Sequence, residues 1–188
     1  MENVWDYPRP PALEPVAGPV RIEFAGRMVA ATDAAFRVLE TSHPPVYYLP
    51  RAAFTGCTLE PACGGSFCEW KGTARYWTIR AGDRVAERAA WSHPDPAPAF
   101  AAIRDHLAVY AAAMDRCHVG DEAVTPQPVM LHPACCWVAI RARCRGGRKG
   151  EHGPAFLVAF CLPATRVMYG RRPSRGQPAP VFDMGGEV

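Results

Sequence analysis

Two stretches of this chain concentrate side chains able to do chemistry. The first is Glu40-Thr41-Ser42-His43-Pro44-Pro45-Val46-Tyr47-Tyr48-Leu49-Pro50. It holds a carboxylate, hydroxyls, an imidazole and two phenols between prolines that stiffen the backbone. A rigid loop with several hydrogen-bonding groups prearranges a site for a polar ligand. Glu40, Ser42, His43, Tyr47 and Tyr48 are the candidate ligand-binding residues here. Strand alternation sends Tyr47 and Tyr48 to opposite faces, so only one of them shares a pocket with His43. The plainer reading makes His43 a turn residue and the tyrosines core or rim.

The second stretch is Phe67-Cys68-Glu69-Trp70-Lys71-Gly72-Thr73-Ala74-Arg75-Tyr76-Trp77. If Phe67 to Lys71 is extended, Cys68 and Trp70 share one face, and Glu69 and Lys71 share the other. A thiol becomes a nucleophile when a cation or a helix N-terminus lowers its pKa; otherwise Cys68 is a small buried hydrophobe. Lys71 is one of two lysines in the chain, the other being Lys149. Where arginine is the usual cation, a lone lysine before a glycine points to anion binding, or else to a solvated surface. Cys68, Trp70 and Lys71 join the candidates. So does Trp91 of Ala90-Trp91-Ser92-His93-Pro94-Asp95-Pro96, which also anchors a strand end in the core. His93 and Asp95 either flank a pocket or occupy an exposed proline loop, and the loop is the favoured reading.

Other chemistries are not expected. Cys57, Cys63 and Cys68 lie five and six residues apart, whereas structural zinc sites use cysteines paired two to four apart. No metal is therefore expected. The phosphate loop, the dinucleotide fingerprint and the Gly-x-Ser-x-Gly elbow are all missing from the sequence, and no cofactor is expected.

The elements that must hold these groups are short. Val20-Arg21-Ile22-Glu23-Phe24 alternates strictly and predicts a half-buried strand. Ala25-Gly26-Arg27 turns the chain and Met28 to Ala31 returns. Arg37 to Thr41 and Val46 to Leu49 are further strands. Thr73 to Ala81 is the strongest, turning at Gly82-Asp83 into Val85 to Ala90. Ala99 to His106 forms one short helix, Leu107 to Tyr110 a strand, and Val119 to Val124 a tight hairpin. Residues 4–19 hold five prolines and read as an extended leader laid over the surface. Phe24-Ala25-Gly26-Arg27-Met28-Val29-Ala30 is echoed by Arg80-Ala81-Gly82-Asp83-Arg84-Val85-Ala86. Each copy is followed by Ser-His-Pro, at Ser42 and at Ser92. The echo supports two sheets built on related hairpins.

The chain has 188 residues, 49% hydrophobic and 21% charged, which suits one domain plus an appendage. No apolar stretch approaches the roughly 20 residues that span a bilayer. The N-terminus has no basic start or apolar run, so no signal peptide is expected. A cytoplasmic protein with its eight cysteines as thiols follows. The charge is split. Residues 1–128 carry 12 Lys/Arg and 15 Asp/Glu, while residues 129–188 carry 9 and 3. The shift places a domain at 1–128 and a basic, irregular, poorly ordered tail at 129–188. The tail lacks the interleaved aromatics of a nucleic-acid binder and the body is acidic, so nucleic acid is not an expected partner.

The motif segments carry a resemblance. Val4-Trp5-Asp6-Tyr7-Pro8-Arg9-Pro10-Pro11, Glu40 to Pro50, Phe67 to Trp77, Ala90 to Pro98 and Val124-Thr125-Pro126-Gln127-Pro128 follow one another as in the Domain of Unknown Function 427 family of small bacterial proteins. The chain resembles that family over about residues 1–128. The resemblance implies a mainly β fold, similar to the β-tent (Mss4-like) arrangement of two antiparallel sheets. Several β-tent relatives bind zinc through paired cysteines, and those pairs are missing here. A nucleotidyltransferase label attached to the family would need a Gly-Ser motif with paired acids, which this sequence lacks. After Pro128 the chain departs from the family pattern, through either a divergent extension or a shifted reading frame.

The leading expectation is a small-molecule-binding module with a polar and aromatic cleft. The alternatives are an enzyme using Cys68 or His43 on an anionic small substrate, and a structural or interaction protein. Oligomeric state is not readable.

Overall fold

Val20, Ile22 and Phe24, the apolar members of the alternating pentapeptide, are 0%, 0% and 2% exposed. The intervening Arg21 and Glu23 are half-buried. Period-two patterning of this kind builds most of the molecule. The computed structural model describes residues 2–126, together with the backbones of two short strands at 138–140 and 167–168.

In chain order the strands are β1 Glu2–Asn3, β2 Ala12–Pro15, β3 Val20–Phe24, β4 Arg27–Thr32, β5 Phe36–Leu39, β6 Val46–Pro50, β7 Thr58–Cys68, β8 Gly72–Ala81, β9 Arg84–Ser92, β10 His106–Val109, β11 Arg116–Val119, β12 Glu122–Ala123, β13 Val138–Ile140 and β14 Val167–Met168. They form an eight-stranded sheet in the order β13-β7-β8-β9-β10-β6-β5-β2 and a four-stranded sheet in the order β12-β11-β3-β4. Both are antiparallel throughout. β1 and β14 pair separately and in parallel. The protein is mainly β with two antiparallel sheets, an arrangement compatible with the β-tent expectation. No helix among the described residues is long and apolar enough to cross a membrane.

Two cores result. One gathers Val20, Ile22, Phe24, Val29, Tyr47, Leu49, Ile79 and Leu107 among others. The other is aromatic, built on Val38, Tyr48, Ala74, Tyr76, Trp91, Phe100, Ile103 and Ala108. Tyr47 and Tyr48 enter different cores, as alternation along β6 requires.

The echoed hairpins prove to be parts of a larger pattern. β3–β4 turns on Ala25 and Gly26, with φ of 57° and 68°, and β8–β9 turns at Gly82, with φ of 56°. Each unit goes on to a Ser-His-Pro, which in the second opens on Ser92 at the end of β9, then a strand (β6, or β10 after the extra 3-10 segment Pro98–Ile103), a single 3-10 turn, and another strand (β7 or β11). The 3-10 turns close alike. The Phe54 N–H donates to the Arg51 carbonyl at 3.2 Å, and the Met114 N–H to the Ala111 carbonyl at 3.1 Å. β9 is kinked at Arg88, φ 51°, and takes the part of β4 and β5 together. The two units exchange strands: β7 of the first pairs with β8 of the second, β11 of the second with β3 of the first, and β6 with β10. Swapping the units maps this pattern onto itself.

Several expectations are corrected. The leader is more than a surface cover, because β2 extends the large sheet against β5 and Val4 and Tyr7 are 1% and 8% exposed. β7 was unforeseen, since Pro61, Gly64 and Gly65 hide its periodicity. Its register shifts between Ala62 and Gly65, and Pro61 lies beyond the stretch Gly65–Phe67 that β13 covers, an edge position that tolerates proline. The expected helix at 99–106 is a 3-10 segment over Pro98–Ile103. Cys63, exposed beside that register shift, is disulfide-bonded, so the cysteines are not all thiols; Cys57, Cys68 and Cys117 are free. The poorly ordered tail expected for 129–188 lies outside the described residues apart from the two short strands.

Candidate functional site

The site is organised by the hairpin loop between β7 and β8. Cys68 pairs with Gly72, which leaves Glu69, Trp70 and Lys71 as a three-residue loop. The chain must leave this tight loop through a residue in the left-handed region. Gly72 meets this need with φ +83°, and a Cβ there would stand 3.2 Å from the Asp95 carbonyl oxygen. The extended reading of Phe67 to Lys71 is therefore corrected: the strand stops at Cys68 and the turn sets the later directions. Glu69 points outward and pairs with Arg9 at 2.9 Å. The Arg9 guanidinium lies 5.9 Å from the Trp70 ring centroid. Trp70 packs against the aromatic core, and its buried Nε1 has no hydrogen-bond partner among the described residues. Lys71 turns inward and is 4% exposed.

The Lys71 Nζ stands 3.6 Å from Glu40 Oε2 and 5.7 Å from the Phe100 ring centroid. The ion pair is longer than a hydrogen bond, and among the described residues the ammonium makes none. Glu40 follows directly on β5, so the loop after β5 and the loop before β8 meet at this pair.

His93 sits just past β9 and is 0% exposed. Burial first, and then the Lys71 charge, lower its pKa to about 4, against the pull of hydrogen bonding to the Gly72 and Thr73 backbone. The ring is thus neutral at pH 7. Its centroid lies 6.1 Å from that of Tyr48. Tyr48 is fully buried, and burial pushes its phenol up, with Cys68 and Glu40 among the groups acting on it. Trp91 Nε1 donates to the Tyr48 hydroxyl at 3.3 Å, and the Trp91 ring lies 4.6 Å from Tyr110 at 32°.

A chain of contacts therefore joins Glu40, Tyr48, Lys71 and Trp91 of the expected residues. Cys68 acts on Tyr48 from a position 5% exposed, and Trp70 packs on the same core. Tyr47 belongs to the other core, where Arg37 and Glu2 act on it. Ser42 and His43 are half-buried turn residues. Ser42 has φ 69° and its N–H donates to the Val4 carbonyl. His43 Nδ1 lies 3.0 Å from the Thr41 carbonyl oxygen. Conversely, His93, for which the exposed loop is the favoured reading over a place beside a pocket, is buried within this cluster. The repeated Ser-His-Pro was the signal for it, since the second copy directly follows the core residue Trp91. Among the described residues no three His, Cys, Asp or Glu side chains are grouped to hold a metal ion.

Fold and site define a mainly β protein of two antiparallel sheets whose aromatic core carries a nearly buried ion pair. The chain belongs to the family described as domain of unknown function (DUF427), which matches residues 12–120. No curated protein matches it.

Proposed function

We propose that this protein is a small-molecule-binding module whose ligand seats against the Glu69–Lys71 loop, with Glu40, Tyr48, Lys71, His93 and the aromatic core as its surroundings. One observation carries the reading. Lys71 places an ammonium in a site 5% exposed, with one carboxylate at 3.6 Å and no hydrogen bond among the described residues. Desolvating a charge is costly unless partners replace the lost water. A site that keeps such a charge under-partnered suits a ligand able to complete its shell. The flanking tryptophans, tyrosines and Phe100 match the apolar lining of ligand sites.

A thermal-shift screen over charged and neutral metabolites tests this reading. Compounds should raise the melting temperature of the wild-type protein and lose that effect in Lys71→Met. Hits that survive the substitution, or a broad library without any, would refute it. We infer a cytoplasmic setting from the free thiols at Cys57, Cys68 and Cys117, with the disulfide at Cys63 as the observation against it.

A further inference from the structure

We propose that the ligand of this site is a carboxylate, held between the Lys71 ammonium and the Trp70 indole N–H. This rests on the binding reading above and adds the ligand's chemical class. Both donors come from one three-residue loop and both lie against the same aromatic core. The indole nitrogen is buried with no acceptor among the described residues. The ammonium has hydrogens to spare, since its one carboxylate neighbour stands at 3.6 Å. Buried N–H donors left without acceptors are costly. The two groups share one deficit: neither has an acceptor oxygen at hydrogen-bond distance among the described residues.

Charge narrows the class. A cationic ligand would meet Lys71. A phosphate would bring up to two negative charges beside Glu40 with a single interior cation to offset them. The nearby guanidinium of Arg9 is already engaged by Glu69 at 2.9 Å, and His93 is neutral. A carboxylate brings one negative charge and two acceptor oxygens, which matches one ammonium and one indole N–H. The organic body then lies on the aromatic side chains.

The test uses the full chain labelled with 15N-tryptophan. Its five tryptophans give five indole N–H signals, and Trp70→Phe identifies that of Trp70. Benzoate, benzamide and inorganic phosphate are titrated separately. The expected result is a saturable downfield movement of the Trp70 signal with benzoate, at least tenfold weaker with benzamide and phosphate. In Lys71→Met the benzoate response should be lost. Phosphate binding more tightly than benzoate would overturn the carboxylate assignment. So would anion binding that depends on Lys71 but leaves the Trp70 signal unmoved, while sparing the broader reading. A flat response to all three probes, with metabolite hits that depend on Lys71, would also sink the carboxylate alone. A flat response with no such hits would remove both.

Discussion

Lys71 and Glu40 share an ion pair unequally: at 3.6 Å separation the lysine side chain is 5% exposed and the glutamate 21%. Removing one partner of a buried pair hurts according to how deeply the survivor is held from water. Glu40→Leu strands the deeper charge, and a loss of about 3 kcal/mol is expected. Lys71→Met leaves a carboxylate that still reaches solvent, and about 1 kcal/mol is expected. The double variant should recover most of the larger loss. Urea denaturation of the three variants measures these values, and the reverse ranking would show that the ammonium is the better hydrated group.

His93 makes stability depend on pH. Its folded pKa of about 4 lies below the ordinary 6.5, so the unfolded chain takes up the proton first. The contribution is complete above about pH 7 and is lost as pH falls from 6.5 towards 4, in total about 3 kcal/mol. His106 is shifted the same way by burial and steepens the slope. Denaturation midpoints at pH 7.5 and pH 5 should differ more in the wild type than in His93→Gln. Equal slopes would mean that His93 charges freely in the folded protein.

Three glycines should respond differently to alanine. At Gly26, with φ +68°, an added Cβ meets nothing within 4 Å, so backbone strain alone applies, about 1 kcal/mol. Gly72 adds the 3.2 Å approach to the Asp95 carbonyl to its φ of +83°, and about 2 kcal/mol is expected. At Gly56 the Cβ would lie 2.0 Å from the Met28 carbonyl oxygen, so the loop leading to β7 cannot close against β4. Gly56→Ala should be the most damaging of the three by thermal melting, and a mild Gly56→Ala would contradict the close packing at that position.

Much of this architecture can be read from side-chain order, where the order reflects one local cause. Val20 to Phe24 alternates because one face is core, and Gly82-Asp83 marks a hairpin because a left-handed residue is needed there. Reading fails where distant partners decide. β7 exists despite Pro61, Gly64 and Gly65 because β8 supplies a ladder for it. His93 looks like loop surface among Pro94, Asp95 and Pro96, and its burial depends on residues distant in sequence, Tyr48 and the Lys71–Thr73 segment. Lys71 was visible as an unusual cation, but its inward course depends on Gly72 ending the turn. That is a three-dimensional consequence of pairing Cys68 with Gly72.

The strand exchange between the two hairpin units has a consequence for how the chain reaches this state. β3 finds its outer neighbour in β11, and β7 finds its own in β8, so neither unit completes a sheet from its own residues. The partner of β3 is synthesised almost 100 residues later, and the loop it closes is correspondingly long. Contacts so distant in sequence delay the rate-limiting step, and folding in the millisecond-to-second range typical of β topologies is the result. A nascent chain released after β7 would hold the first unit with its sheet edges open. Such a fragment should collect in insoluble material, whereas a chain reaching Val119 has every strand that the two units exchange.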